Sequence, residues 1–269
     1  MKDKFKLFGL AVLVTAIVFS FAACKDSDSD PTSLRKAGLY AKAPGGINGN
    51  DTPIDVSSQT GDNIIAKAVA YANASSGTGG RFTLLLDTNE STGPITLTKD
   101  ALEFNIKGLD STRTITLTSD GSLFTVNTNG HLILWDKITL RGRNNNSDSL
   151  IYVQQGKLTM KAGSTITGND VSLSSGSGGG VQVANSQSTF EMEGGTISGN
   201  TATDGGGGGV YVMGTGGNRG TFNVNPPAGK GNISSNTATA MPKQVAKDTG
   251  DNGGIIGGSG IGSGDYNGW

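Results

Sequence analysis

The sequence predicts an all-β fold: a single-stranded parallel β-helix, a solenoid of about five coils, closed at its N-terminal end by one capping helix. Three observations carry this expectation. Columns of apolar residues recur at repeat spacing along the chain, each column sits in a two-residue alternation, and glycines and Gly-Asn pairs punctuate the segments between them.

The columns are read first. Val126, Val153, Val183 and Val212 form one, Leu134, Met160, Met192 and Val224 a second, and Leu140, Ile166, Ile197 and Ile233 a third. Around each the period is two: Val210 and Val212 point one way and Tyr211 the other, as Phe190 and Met192 do around Glu191. Each repeat therefore holds three short strands. Stacked coil on coil, each strand lies roughly 4.8 Å from its counterpart, with Val, Ile, Leu, Met and Phe inside and Thr, Ser, Lys, Glu and Asn outside.

The run Gly205 to Gly209, directly ahead of Val-Tyr-Val, is expected to be a corner rather than a linker, because adjacent coils pass too closely there for a Cβ. Gly168-Asn169 and Gly199-Asn200 mark another corner. Asn tolerates the left-handed region, and Asn169 and Asn200 are expected to stack as a short amide ladder.

Ahead of the coils, residues 61–75 change period. Ile64, Ile65, Ala68, Val69 and Ala72 fall on one helical face, with Asp62 as the expected N-cap and Gly77 beyond the end. A β-helix must cover its exposed apolar end, so this helix reads as the cap; the other reading is a partner-binding amphipathic helix. At the C-terminal end, the Gly-rich stretch offers only Ile255, Ile256, Tyr266 and Trp269 as cover.

The N-terminus has a basic start, an apolar run from Leu7 to Ala23 and small residues just before Cys24, which is a secretory signal pattern. The alternative is one transmembrane helix, since the run is near the lower length limit for spanning. The polar, acidic residues after Cys24 read as a tether. The chain thus divides into a signal peptide over 1–23, Cys24 with a flexible tether over 24–60, the capping helix and β-helix over 61–245, and a Gly-rich tail over 246–269.

Two resemblances rest on these residues. Gly-Thr-Ile-Ser-Gly-Asn-Thr-Ala, Val-Tyr-Val and Gly-Thr-Phe-x-Val, between Gly195 and Val224, resemble the right-handed parallel β-helix repeats of bacterial surface proteins of the pectin-lyase-like superfamily. That superfamily hosts lyases, hydrolases and adhesins, so the likeness implies architecture and not activity. Phe-Ala-Ala-Cys resembles the bacterial lipobox, although Phe21 stands where Leu is usual, and implies acylation of Cys24. Lys25, rather than Asp, implies sorting to the outer membrane, and the acidic residues that follow resemble surface-export signals of Bacteroidetes lipoproteins.

Candidate chemistry is sparse. Lyases of the resembled superfamily use clustered acids that hold calcium plus a basic residue, and its hydrolases use aspartates on adjacent coils; neither cluster is visible, so no catalytic residue, metal or cofactor is assigned. Glu191 and Glu193 are the paired carboxylates of one strand face, about 6.6 Å apart at Cα, near the range of an inverting glycosidase pair. Their competing reading is a solvated ladder, with Lys161 against Glu193 and Trp135 one coil earlier. His131, the single histidine, is either a metal ligand or general base or an ordinary surface residue. Residues 257–265 loosely match a calcium nonapeptide but place Gly where the ligand Asp belongs. Trp135, Tyr152 and Tyr211 either stack on sugar rings or pack at the solvent side.

A net charge of −1 argues against nucleic acid as a partner, and one cysteine rules out an intrachain disulfide. The expected function is a lipid-anchored, non-enzymatic module at the outer membrane or cell surface, adhesive or structural, with the membrane and surface glycans or host proteins as partners. The alternative is a carbohydrate-active enzyme or glycan-binding protein of the same fold.

Overall fold

The computed structural model describes residues 35–77, 79–172, 178–203, 206–215, 218–224, 231–239, 245–247 and 255–258. The expected signal segment over residues 1–23, Cys24, Tyr266 and Trp269 lie outside the described residues.

Three stacked sheets wrap one apolar core, giving a β-solenoid. The long sheet has eight strands, in the order Gly38–Tyr40, Gly80–Leu86, Leu102–Gly108, Gly130–Leu134, Gly156–Met160, Thr189–Met192, Thr221–Val224 and Ile255–Gly258. A second sheet, with threonines outside, stacks Glu90–Thr92, Arg113–Leu117, Ile138–Arg141, Ser164–Thr167, Thr196–Ser198 and Asn232–Ser234. A third, which carries two tyrosines outside, stacks Ile95–Leu97, Phe124–Val126, Ile151–Val153, Val181–Val183, Val210–Val212 and Val245–Lys247. The second and third sheets are each six strands deep, in keeping with the short stack of coils that the sequence predicts.

Every predicted column is a pairing register. Val126, Val153, Val183 and Val212 are successive partners, as are Leu134, Met160, Met192 and Val224 and Leu140, Ile166, Ile197 and Ile233. All twelve are buried in one continuous core. Identical side chains stacking in register repeat their packing from coil to coil; Phe190 and Phe222 lie 4.7 Å apart at 18° as one such rung. Outside, Thr114, Thr139, Thr165 and Thr196 form a matching file on the second sheet.

The helix spans Ile64–Ala74 and buries Ile65, Ala68, Val69 and Ala72 against the first coil, the face its period predicts. Its cap is Asn63, not Asp62: the Asn63 side chain accepts from the backbone of Ile65 (3.0 Å) and Ala66 (2.9 Å) and donates to the Ser91 carbonyl (3.0 Å). An amide serves here because it caps the helix and ties it to the coil at once. At the other end the buried Lys99 ammonium donates to the Ser75 carbonyl and hydroxyl, placing positive charge where the helix dipole is negative.

Three expectations are corrected. Residues 35–60 are not all tether: Gly38–Tyr40 pairs antiparallel with Thr83–Leu85, and Tyr40 and Ile47 bury the outward-facing Leu85. The segment escapes pattern reading because one three-residue strand among Gly and Pro has no period to detect. The tail likewise supplies Ile255–Gly258 to the long sheet, and the boundary placed after 245 cuts the strand Val245–Lys247. Finally, a fourth short sheet of Asp170–Val171, Thr201–Ala202 and Thr237–Ala238 follows the Gly-Asn corner. Two residues are too few for alternation to show.

The corners behave largely as expected. Gly178, Gly179, Gly180 and Val181 donate through their backbone N–H groups to the carbonyls of Gly206, Gly207, Gly208 and Gly209, so the glycine run continues the ladder. A Cβ on Gly208 would sit 2.2 Å from the Thr237 carbonyl oxygen, which only glycine avoids. At the other corner the left-handed residue is not Asn but the one before it: Gly168 (φ 70°), Gly199 (φ 66°) and Ser235 (φ 57°). The turn frees each asparagine to point inward, where Asn146, Asn169, Asn200 and Asn236 are all buried.

Candidate functional site

The chemistry-bearing side chains gather on the outer face of the long sheet. Register places Glu103, His131 and Lys157 in one file, Asn105, Ile133, Thr159 and Glu191 in the next, and Lys107, Trp135, Lys161 and Glu193 beside that. Files along the solenoid axis repeat at about 4.8 Å, close enough for each charge to reach a neighbouring coil.

Each predicted residue there is already engaged. Lys161 pairs with Glu193 directly across the ladder. Glu191 takes Lys157 diagonally at 2.7 Å. The two carboxylates therefore share a face, as expected, yet each sits against an ammonium. Trp135 lies between Lys107 (6.0 Å) and Lys161 (5.6 Å), one from the coil before and one from the coil after, and its indole N–H donates to Asn105 at 2.8 Å. The indole is thus within reach of two cations, one from each neighbouring coil, a stabilising contact.

His131 is hydrogen-bonded through Nε2 to the Thr159 hydroxyl at 2.8 Å. That distance would suit a nucleophile and its base, but Thr159 is only 1% exposed, so a substrate cannot reach it. The ring is held neutral: burial first, then the neighbouring Lys157 charge, push its pKa down to about 4, while Glu103 and Glu191 pull the other way. Glu103 stays below the usual carboxylate range; burial opposes this, and hydrogen bonds from Asn105 and Arg81 outweigh it.

The neutral histidine gives a prediction. Because its folded pKa lies below the unfolded 6.5, the contribution is full above pH 6.5 and is lost as pH falls toward 4, where the unfolded chain binds a proton that the folded chain does not. Urea midpoints of the native protein should decline from pH 6.5 to 5, before most carboxylates titrate, and His131→Gln should flatten that limb. An unchanged slope would place His131 in solvent.

Sequence reasoning found Lys161 with Glu193 because they are direct partners in register. It missed Lys157 with Glu191, which is diagonal, and Lys107 with Asp136 (3.3 Å), which is one residue out of register. Tyr152 and Tyr211 do occupy equivalent outward positions on the third sheet, two coils apart with Gln182 between. A separate cleft of about 500 Å³ lies where residues 53–57 meet the start of the helix, lined by Ile54, Val56, Ile64 and Lys67.

Among the described residues no three of His, Cys, Asp and Glu come together as a metal site, and no helix is long and apolar enough to cross a membrane. No family model matches the chain, and neither does any curated protein or solved structure.

Proposed function

We propose that this chain is a lipid-anchored module of the outer membrane or cell surface, held through an acylated Cys24, whose β-solenoid serves as a rigid adhesive or structural body without catalysis. The observation that supports a non-catalytic role is the pairing of both candidate carboxylates, Glu191 and Glu193, with Lys157 and Lys161. General acid–base work needs at least one such group held ready for a substrate proton. The lipobox-like Phe-Ala-Ala-Cys supports the anchor, and stacked parallel sheets with Gly-Asn corners support kinship with the pectin-lyase-like surface proteins. Acyl chains contribute about 0.8 kcal/mol per buried CH₂, so more than one chain gives lasting attachment. On this reading the partners are the membrane and surface glycans or proteins, not nucleic acid.

The test is fractionation. Cys24→Ala should move the protein from the detergent phase to the aqueous phase. If the variant still partitions with detergent, lipidation at Cys24 is wrong.

A second reading, a carbohydrate-active enzyme of this fold, keeps one observation in its favour: Glu191 and Glu193 do share one outward face. Glycan cleavage by the purified chain that disappears in Glu191→Gln or Glu193→Gln, with circular dichroism unchanged, would establish it. The expected result is no turnover, with or without calcium.

A further inference from the structure

We infer that the outer face of the third sheet is a binding site for a neutral, extended β-1,4-linked glycan, with Tyr152 and Tyr211 as its two stacking platforms. The inference rests on the surface-module reading and names its ligand class.

Three features carry it. Strands of the third sheet such as Ile151–Val153 and Val210–Val212 are three residues long with both ends buried, so each coil presents one outward side chain. In register these are Thr96, Thr125, Tyr152, Gln182 and Tyr211, a single outward file. Tyr152 and Tyr211 are half-buried and lie two coils apart, about 9.6 Å at the inter-strand spacing. In a β-1,4-linked chain each sugar is flipped relative to the last, so only alternate rings present the same face, and their repeat is close to this distance. Sugars one and three would then stack on the two tyrosines while the second lies over Gln182.

Gln182 suits that place. Its amide accepts from the Ser149 hydroxyl (3.3 Å) and donates to the Met213 sulfur (2.9 Å), which fixes its orientation. One N–H and one carbonyl lone pair are left for sugar hydroxyls. The file contains no charged side chain, and the carboxylate near Tyr152 is that of Asp148, whose charge helps hold the Tyr152 hydroxyl in its neutral form after burial. A uronate polymer would meet a like charge there, so the ligand is neutral.

The experiment is calorimetric titration of the full chain in detergent with β-1,4-linked hexaoses of glucose, xylose and N-acetylglucosamine, their disaccharides, and hexagalacturonate. A neutral hexaose should bind, and its disaccharide, unable to span both rings, roughly tenfold more weakly. Tyr152→Ala and Tyr211→Ala should each lower hexaose affinity roughly tenfold, and Tyr152→Phe and Tyr211→Phe should retain it. Urea midpoints identify any alanine variant that has lost its fold, and Tyr152→Leu and Tyr211→Leu, which keep an apolar side chain without the ring, then decide: retained affinity in both overturns the inference. No binding to any neutral hexaose, indifference to both alanine variants, or tightest binding to hexagalacturonate would overturn the inference. A chain that is anchored at the surface yet binds no hexaose overturns this inference alone, whereas Cys24→Ala partitioning that contradicts the anchor leaves the titration result standing.

Discussion

Ile197→Asp should cost roughly 4 kcal/mol or more in urea unfolding. Ile197 is fully buried and lies in register between Ile166 and Ile233. A carboxylate there would meet only the apolar interior, without water or a cation. Thr196→Asp and Ser198→Asp, one residue to either side on the half-exposed face, should each stay within about 0.5 kcal/mol of the native chain. The contrast tests the register, since a shift of one residue would exchange the two outcomes. A second consequence follows from the one-dimensional build. Coils contact only their neighbours, so a break at Ile197 severs the C-terminal coils from those that the helix caps. The variant should melt in two steps, with the first removing part of the β signal. Three variants that melt alike would refute the arrangement.

The same build explains what the sequence revealed. An in-register solenoid writes its core as columns, so Val126 to Val212 and Leu140 to Ile233 were legible without any structure. The helix was legible because Ile65, Ala68, Val69 and Ala72 repeat at helical spacing. What lacked periodicity was hidden. Gly38–Tyr40 and Ile255–Gly258 each join the long sheet once, through backbone hydrogen bonds that any side chain permits. The outer face of the long sheet was legible only along direct register. Lys161 with Glu193 follows from the columns, but Lys157 with Glu191 depends on a diagonal reach and the Trp135 contacts on the flexible stems of Lys107 and Lys161. Asn63 outdid Asp62 as cap for a reason of tertiary structure, its second bond to Ser91.

The buried asparagines make the other large prediction. Two were expected as a ladder, and the structure joins four. Asn146 donates to the Asn169 side-chain oxygen (3.0 Å), the Asn169 backbone N–H to the Asn200 side-chain oxygen (3.2 Å), and the Asn200 amide to the Asn236 side-chain oxygen (3.1 Å). The Asn200 amide also faces the carbonyls of Ile166 and Ser198. An asparagine fits because it both donates and accepts; no apolar or purely acidic residue of its size does so. Asn200→Leu should therefore strand the Asn169 N–H and cost roughly 3 kcal/mol at every pH. Asn200→Asp keeps the acceptor for Asn169 but aims an anion at three oxygens, so its folded pKa must lie above the unfolded value of about 3.9. The sign follows: below about pH 4 both states are protonated and the ionisation penalty is absent, and it grows as pH rises until the folded group also ionises. Urea midpoints measured against the native chain at each pH should show Asn200→Asp closest to native in acid and falling away toward neutrality, while Asn200→Leu runs parallel to native throughout. If the aspartate variant also ran parallel, position 200 would be open to water, and the ladder would contribute nothing to holding the Gly-Asn corner closed.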